Sequence, residues 1–216
     1  MSRGRFVAFE GGEGVGKSTQ ARLLAEALRD RGIQVLLTRE PGGTPGAEAI
    51  RSLLLDSPGP DAGPGWSPAA EALLFAAARA DHVARAIRPA LEAGQWVVCD
   101  RFLDSSRAYQ GGAGGVADEA VRELHRVGSG GLLPDVTFLM DVAPGVSAAR
   151  LARRDGGEND AIGGRDAAYH DAVAAAFARF ADQEPGRFVR IDGADAIEAT
   201  HRRILEALEP LLEAAR

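Results

Sequence analysis

A single cysteine, Cys99, occurs among the 216 residues of the chain. One cysteine cannot form an internal disulfide, and this usage predicts a protein of the reducing cytoplasm. The chain also lacks any apolar run near the roughly 18 residues that a membrane-spanning helix requires. Its first predicted strand begins at Arg5, which leaves no room for a signal peptide. We therefore expect a cytoplasmic protein that makes no membrane contact.

Positive charge is not in excess either, because the formal net charge is −6 at pH 7. This balance argues against a protein that coats nucleic acid, although a local cluster of arginines can still bind a small phosphorylated ligand. The histidines are as sparse as the cysteine, and none stands at a metal-ligand spacing from another histidine or from Cys99. We interpret all four as structural or surface residues: His82, His125, His170 and His201.

What the chain does contain is a regular alternation of apolar runs and helical patterns. The runs predict five strands, over residues 5–10, 33–38, 95–99, 135–142 and 187–191. Such alternation is typical of a doubly wound α/β domain with a mostly parallel sheet and helices on both faces. With 45% hydrophobic and 26% charged residues, the composition is that of an ordinary globular protein. We predict one domain spanning residues 1–216.

The segment 11–18 reads GGEGVGKS and lies between the first strand and the first helix. It fits the phosphate-binding pattern G-x-x-x-x-G-K-[ST], in which backbone N–H groups and the positive end of a helix surround an anion. In this pattern Lys17 reaches the β- and γ-phosphates and Ser18 holds Mg²⁺. A glycine-rich turn would have a similar composition, but strand, loop and helix follow in the required order. The predicted ATP-binding residues are Gly11, Gly12, Glu13, Gly14, Val15, Gly16, Lys17, Ser18 and Thr19.

Two further patterns follow along the chain. The second strand is followed by REPGGT, which begins at Arg39, and its glycines would let a ligand approach the backbone. A polar turn between a strand and a helix is the alternative. Phe75 and Arg79 lie four apart on a helix and share a face, where they could stack on a nucleobase and donate to its carbonyl. The alternative is a core phenylalanine beside a solvated arginine.

Asp100 and Arg101 stand at the end of the third strand. An acid at this position suits Mg²⁺ or its water, and an arginine beside it can hold a phosphate, although turn residues would look the same. Farther on, segment 155–166 is glycine-rich and polar. It predicts a lid at about 150–166 that closes over phosphate, with a solvated charged loop as the alternative. The nearby arginines are Arg150, Arg153, Arg154 and Arg165.

Taken in order, GGEGVGKS, REPGGT, the helix of Phe75 and Arg79, DRF and AYQG resemble the motifs of bacterial thymidylate kinases. The resemblance covers the chain from about residue 5 to the lid. It implies a P-loop NTPase fold with a five-stranded sheet, a homodimer, and the conversion of ATP and dTMP to ADP and dTDP with Mg²⁺. The small-molecule partners would then be ATP and dTMP.

The resemblance also implies roles for residues that match the family's motifs. Around the base and sugar, Phe75 would stack on thymine and Arg79 would hydrogen-bond its O4 atom. The other predicted substrate contacts in this region are Ser106 on the N3 side of the base, Tyr109 against the sugar, Gln110 nearby and Glu13 near the 3′-hydroxyl.

At the phosphate end, the resemblance implies that Arg39 and Arg101 hold the dTMP phosphate. Asp100 would lie close to the metal and the transferred group, so Ser18 and Asp100 are the predicted metal ligands. Lys17 and Arg101 would act in catalysis together with Asp100.

Members of this family take a catalytic arginine either from the phosphate loop or from the lid. Here the loop has none between Gly11 and Lys17, so the lid has to supply it. The lid departs from the family pattern, because the usual Asp-Arg is Asp160-Ala161 in this chain. Arg154 is the best match to the catalytic arginine, and Arg150, Arg153 and Arg165 are alternatives.

Three other functions stay open at this point. The chain could be a kinase for another nucleoside monophosphate, a phosphate-loop switch ATPase, or a binding protein that has lost catalysis. The Asn-Lys-x-Asp motif that reads guanine is absent. A second nucleotide pocket built from Phe75, Arg79 and Tyr109 would have no role in a simple switch.

Overall fold

Five short apolar segments form strands, each within two residues of its predicted bounds. The structure, a computed structural model, describes residues 3–56, 65–142, 147, 150 and 165–214. The strands are β1 (Phe6–Glu10), β2 (Val35–Arg39), β3 (Trp96–Asp100), β4 (Val136–Asp141) and β5 (Phe188–Asp192).

All neighbouring strands of the sheet are parallel, and their order is β2-β3-β1-β4-β5. The prediction of a five-stranded, mostly parallel sheet is therefore confirmed. Because β2, β3 and β1 are adjacent, the segments that follow them meet at one edge of the sheet. In register, Asp100 pairs with Phe9 on one side and with Arg39 on the other. The carboxyl edge of the sheet thus brings GGEGVGKS, REPGGT and DRF together.

Helices connect the strands, and local signals explain where two of them begin. Thr44 and Ser67 act as N-caps, since their hydroxyl oxygens accept from the N–H groups of Ala47 and Ala70, and a proline follows each cap. None of the described helices is long and apolar enough to cross a membrane. The helices are α1 (Lys17–Asp30), α2 (Pro45–Leu55), α3 (Pro68–His82), α4 (Arg88–Glu92), α5 (Leu103–Ser106), α6 (Asp118–Ser129), α7 (Ala167–Gln183) and α8 (Ile197–Glu213).

The long helix predicted after Ser67 changes its winding before Pro89. Residues Val83–Ile87 form a π-helical turn between α3 and α4. Proline has no N–H to donate, and its ring crowds the carbonyl four residues earlier, so a wider turn is a common accommodation. The predicted break at Pro89 therefore appears as a π-helical turn on its N-terminal side.

The hydrophobic core lies on both faces of the sheet. Along β1, Val7 and Phe9 pack with α1 and α8 on one face, whereas Phe6 and Ala8 pack on the opposite face with the helices between α3 and α6. All four side chains are fully buried. Successive side chains of β1 thus alternate between two buried faces, which confirms that helices flank both faces of the sheet.

The AYQG sequence lies in a second π-helical segment, Arg107–Ala113. Arg107 is 1% exposed, and its guanidinium binds the carboxylates of Asp104, Asp118 and Glu184 at 2.9 Å. A buried guanidinium with several carboxylate partners holds its backbone in one position. Arg107 thereby anchors the segment that carries Tyr109 and Gln110.

Candidate active site

The phosphate loop forms the turn between β1 and α1, as predicted. A side chain at Gly11, where φ is +131°, would collide with the carbonyl oxygen of Met140, so this position requires glycine. Lys17 begins α1, and its Nζ atom donates to the carbonyl oxygen of Gly12. Burial, and then the charge of Arg101, lower the pKa of Lys17 to about 7. The ammonium therefore lies in a site that favours an incoming anion.

Ser18 and Asp100, the two predicted metal ligands, are in contact. The Ser18 hydroxyl donates to Oδ2 of Asp100, although 82 residues separate them. The other carboxylate oxygen, Oδ1, is buried and has no hydrogen-bond partner among the described residues. Mg²⁺ prefers oxygen ligands and usually takes one or two from protein, with phosphates and waters completing its shell. The oxygen pair therefore fits Mg²⁺, although the described residues contain no cluster of three or more metal-ligand side chains.

Arg101 lies between the phosphate loop and a cleft beside it. Its Nη1 atom donates to the carbonyl oxygen of Gly11 and to the Ser105 hydroxyl, each at 3.1 Å. Its backbone has φ of +67°, which is uncommon for a residue with a side chain. Glu10 supports this conformation because its buried carboxylate accepts from the N–H groups of Phe102 and Ser105. Burial, and then the nearby charge of Asp104, raise the pKa of Glu10 to about 7.

The cleft contains most of the predicted substrate contacts. Its lining includes Arg101, which also contacts the phosphate loop, together with residues of α3 and of the AYQG segment. Seven of the eight predicted residues line it: Glu13, Phe75, Arg79, Arg101, Ser106, Tyr109 and Gln110. The exception is Arg39.

Arg79, which lines the cleft, is held rigidly in place. It is 3% exposed, and its Nε atom donates to Glu40 at 2.7 Å. Its Nη2 atom donates to the Ser106 hydroxyl at 2.8 Å and to the Phe102 carbonyl at 3.2 Å. Nη1 has no partner among the described residues and stays available to a ligand. Phe75 also lines the cleft, so the aromatic ring and the guanidinium that were predicted to share a face both border the same cavity.

The structure places Arg39 outside the cleft. Arg39 is the last residue of β2, an edge strand, and its exposed guanidinium pairs with Glu48 at 3.2 Å. Arg51 on α2 lines the cleft instead, and it donates to the carbonyl oxygen of Pro41 at 2.8 Å. Arg51 was not among the substrate contacts predicted from the sequence. The one sequence feature that could have indicated it is the spacing of four residues to Leu55, which places both side chains on the same face of α2, and both line the cleft.

Two of the four predicted lid arginines lie among the residues that the structure describes. Arg154, the preferred catalytic arginine, and Arg153 lie outside the described residues. The Nη2 atom of Arg150 donates to the Gly193 carbonyl at 2.8 Å, and its Nη1 atom lies 4.0 Å from the place where a Cβ on Gly16 would stand. Arg150 is therefore beside the phosphate loop. Arg165 instead pairs with Glu71 of α3.

The histidines match their structural interpretation where the structure describes their contacts. His82 is fully buried and contacts Thr38 and Glu40, so it supports the residue that holds Arg79. A side chain on Gly43, where φ is +87°, would collide with His82 and Thr38. This close approach explains one glycine of REPGGT. His125 is also buried, and it contacts the Leu132 carbonyl.

Comparison with known proteins shows similarity along nearly the whole chain. A family model described as thymidylate kinase matches residues 9–204. A thymidylate kinase from Rhizorhabdus wittichii is 58% identical over 97% of this chain and 99% of that protein. One from Bradyrhizobium sp. (strain ORS 278) is 48% identical over 97% and 92%, respectively.

A solved structure, that of thymidylate kinase from Ehrlichia chaffeensis, matches with a TM-score of 0.75 at 32% sequence identity. The match covers 95% of this chain and 99% of that one. It confirms the predicted P-loop NTPase fold. The range matched by the family model, residues 9–204, spans the phosphate loop and the residues that line the cleft.

Proposed function

This chain belongs to the thymidylate kinase family, and on that premise we propose how its residues share the work of catalysis. The protein is a transferase that phosphorylates dTMP to dTDP with ATP as the phosphoryl donor. One observation carries the assignment of sites: Arg101 lines the cleft and also donates to Gly11 of the phosphate loop. A donor site and an acceptor site therefore meet at a single guanidinium.

In this proposal the cleft binds dTMP with its base beside Phe75 and Arg79. Phe75 stacks on thymine, and the free Nη1 atom of Arg79 donates to O4. Ser106 and Gln110 face the N3 side of the base. Tyr109 lies against the sugar.

The phosphate of dTMP then points toward the phosphate loop. Arg101 holds it on one side and Arg51 on the other, in place of the Arg39 that the motif implies. Both guanidiniums line the cleft, and a planar guanidinium binds a phosphate through two parallel hydrogen bonds. Glu13 lies within the loop at the same cleft, where it is proposed to contact the 3′-hydroxyl.

ATP is proposed to bind the segment from Gly11 to Thr19, with Lys17 at its β- and γ-phosphates. Ser18 and Asp100 would hold Mg²⁺, which neutralises charge on the phosphates when bound. The buried Oδ1 atom of Asp100, which has no partner among the described residues, supports this assignment. An enzyme that consumes ATP needs a compartment that contains ATP, so the proposal includes a cytoplasmic location.

Phosphoryl transfer needs alignment and charge neutralisation rather than a covalent intermediate or a strong base. In this chain Arg101 aligns the acceptor phosphate with the donor site, and Lys17 stabilises negative charge on the transferred group. The phosphate loop contributes no arginine, so a lid arginine, proposed to be Arg154, supplies the remaining positive charge.

The kinase function is tested by ADP release from ATP with dTMP, dUMP, UMP, dCMP, AMP or GMP as acceptor. We expect dTMP to stimulate ADP release most strongly. A purine kinase would respond to AMP or GMP, and a switch ATPase would respond to none of them. The proposal fails if dTMP gives no stimulation above the background with ATP alone.

A homodimer is proposed as the working form. Leu73 on α3 and Val127 on α6 are 55% and 72% exposed, and these two helices pack against each other. Exposed apolar side chains on adjoining helices favour a protein interface. Analytical ultracentrifugation of the chain and of a Leu73→Glu variant would test the proposal, with a monomeric wild-type chain as the contrary result.

A further inference from the structure

The carboxylate of Glu71 connects the wall of the cleft with the beginning of α7. Glu71 lies in the first turn of α3 and is 8% exposed. Its Oε1 atom accepts from the Nε2 atom of Gln110 at 2.9 Å. Its Oε2 atom pairs with the guanidinium of Arg165. Both carboxylate oxygens are therefore engaged, one by a cleft residue and one by a cation.

This contact determines which end of the Gln110 amide faces the cleft. A carboxylate only accepts hydrogen bonds, so Gln110 must present its NH₂ group to Glu71. The amide carbonyl oxygen is then the group left for a ligand. Gln110 is 2% exposed and lines the cleft, and no described residue donates to this oxygen.

An acceptor at this place discriminates between pyrimidine bases. Thymine carries an N–H donor at N3 beside an O4 acceptor, whereas cytosine carries an acceptor at N3 and an amino donor at C4. With O4 bound to the donor Nη1 of Arg79, the N3–H of thymine faces an acceptor from Gln110. Cytosine would meet two mismatches, and a reversed Gln110 amide would remove one of them.

We propose that Glu71 is a positioning residue that fixes Gln110 with its carbonyl oxygen toward the base, and so selects bases with a donor at N3. This inference rests on the proposed assignment of the cleft to dTMP. Glu71 acts through Gln110 and does not itself touch the substrate.

Arg165 and Tyr169 hold this arrangement from the other side. The Arg165 guanidinium lies 4.5 Å from the centre of the Tyr169 ring, and the Tyr169 hydroxyl donates to the backbone carbonyl of Tyr109 at 2.9 Å. The start of α7 is therefore attached to two successive cleft residues, to Tyr109 directly and to Gln110 through Glu71. Arg165 is the second positioning residue, since it keeps the Glu71 carboxylate in place.

The test is Glu71→Gln, which has nearly the same shape but can bond to either orientation of the Gln110 amide. We expect the KM for dTMP to rise about tenfold, the cost of one misoriented buried hydrogen bond, with the KM for ATP unchanged. The Ki of dCMP as a competitor of dTMP should not rise in step. The ratio of Ki for dCMP to KM for dTMP should therefore fall about tenfold.

Arg165→Met provides a second variant. It is less prone to misfolding than Glu71→Gln, because the Arg165 side chain is 31% exposed. It should lower the ratio of Ki for dCMP to KM for dTMP about threefold, since the Glu71 carboxylate remains but loses its ion pair with Arg165. Glu123→Gln, an exposed residue on α6 that pairs only with Arg126 among the described residues, serves as the matched control. Thermal unfolding of each variant shows whether it is folded.

Two results separate this inference from the proposed function. If Arg79→Gln leaves the KM for dTMP unchanged, the cleft is not the dTMP site and that assignment fails. If Arg79→Gln raises this KM while both Glu71→Gln and Arg165→Met keep the wild-type ratio of Ki to KM, only the role of Glu71 is overturned.

Discussion

Glu40 and Arg79 form an ion pair that is almost fully removed from solvent, with 2.7 Å between Oε2 and Nε. Their side chains are 4% and 3% exposed, and the second oxygen of Glu40 lies 3.1 Å from Nδ1 of His82. Burial by itself raises the pKa of Glu40, but the charge of Arg79 and the hydrogen bond with His82 outweigh it and bring that pKa below its usual value. The pair fixes the guanidinium that is proposed to read O4 of thymine.

Replacement of Glu40 by Gln should therefore affect both stability and dTMP binding. Loss of the buried anion leaves Arg79 uncompensated, so we expect the free energy of unfolding to fall by about 3 kcal/mol or more. The KM for dTMP should rise at least about tenfold, since the guanidinium loses its fixed orientation. Urea unfolding and steady-state kinetics measure these effects. Glu48→Gln, at an exposed pair with Arg39, is the control that should change stability little.

The phosphate of dTMP offers a direct comparison of two arginines. We expect Arg51→Ala to raise the KM for dTMP by about ten- to a hundredfold, because a charge-assisted contact to phosphate is lost. Arg39→Ala should change this KM by less than about threefold, since its exposed guanidinium pairs with Glu48 outside the cleft. Steady-state kinetics at saturating ATP decide between them. The reverse order of effects would restore Arg39 as the phosphate ligand.

The difference between these arginines illustrates what the sequence could predict. Strands and helices follow from local periodicity, and the phosphate loop from its glycines, so both were predicted correctly. Phe75 and Arg79 could be paired because they lie one helical turn apart. Glu71 had no such signal, since its partners Gln110 and Arg165 lie 39 and 94 residues away along the chain. Arg39 did have a signal, because it belongs to the REPGGT motif. A motif gives the position of a residue in the chain but not the direction of its side chain.

Lys17 should take up a proton when ATP binds. Its pKa is lowered to about 7 by burial and by Arg101, so at about pH 8 it is mostly neutral in the free protein. The negative phosphates of bound ATP favour the ammonium form and raise this pKa, so Lys17 takes up a proton when ATP binds. Isothermal titration calorimetry in buffers of different ionisation enthalpy should give nearly one proton taken up per site. No uptake near pH 8, or proton release, would contradict this prediction.

Substitution of the lid arginines tests which of them acts in catalysis. We expect Arg154→Ala to lower kcat by at least about a hundredfold with little change in the KM for dTMP, because its charge is needed mainly in the transition state. Arg165→Ala should act mainly on that KM, since Arg165 pairs with Glu71 beside the cleft. Single-turnover kinetics with both nucleotides saturating isolate the chemical step. If Arg154→Ala keeps the wild-type rate, Arg150 becomes the first candidate, because it already lies beside Gly16 of the phosphate loop.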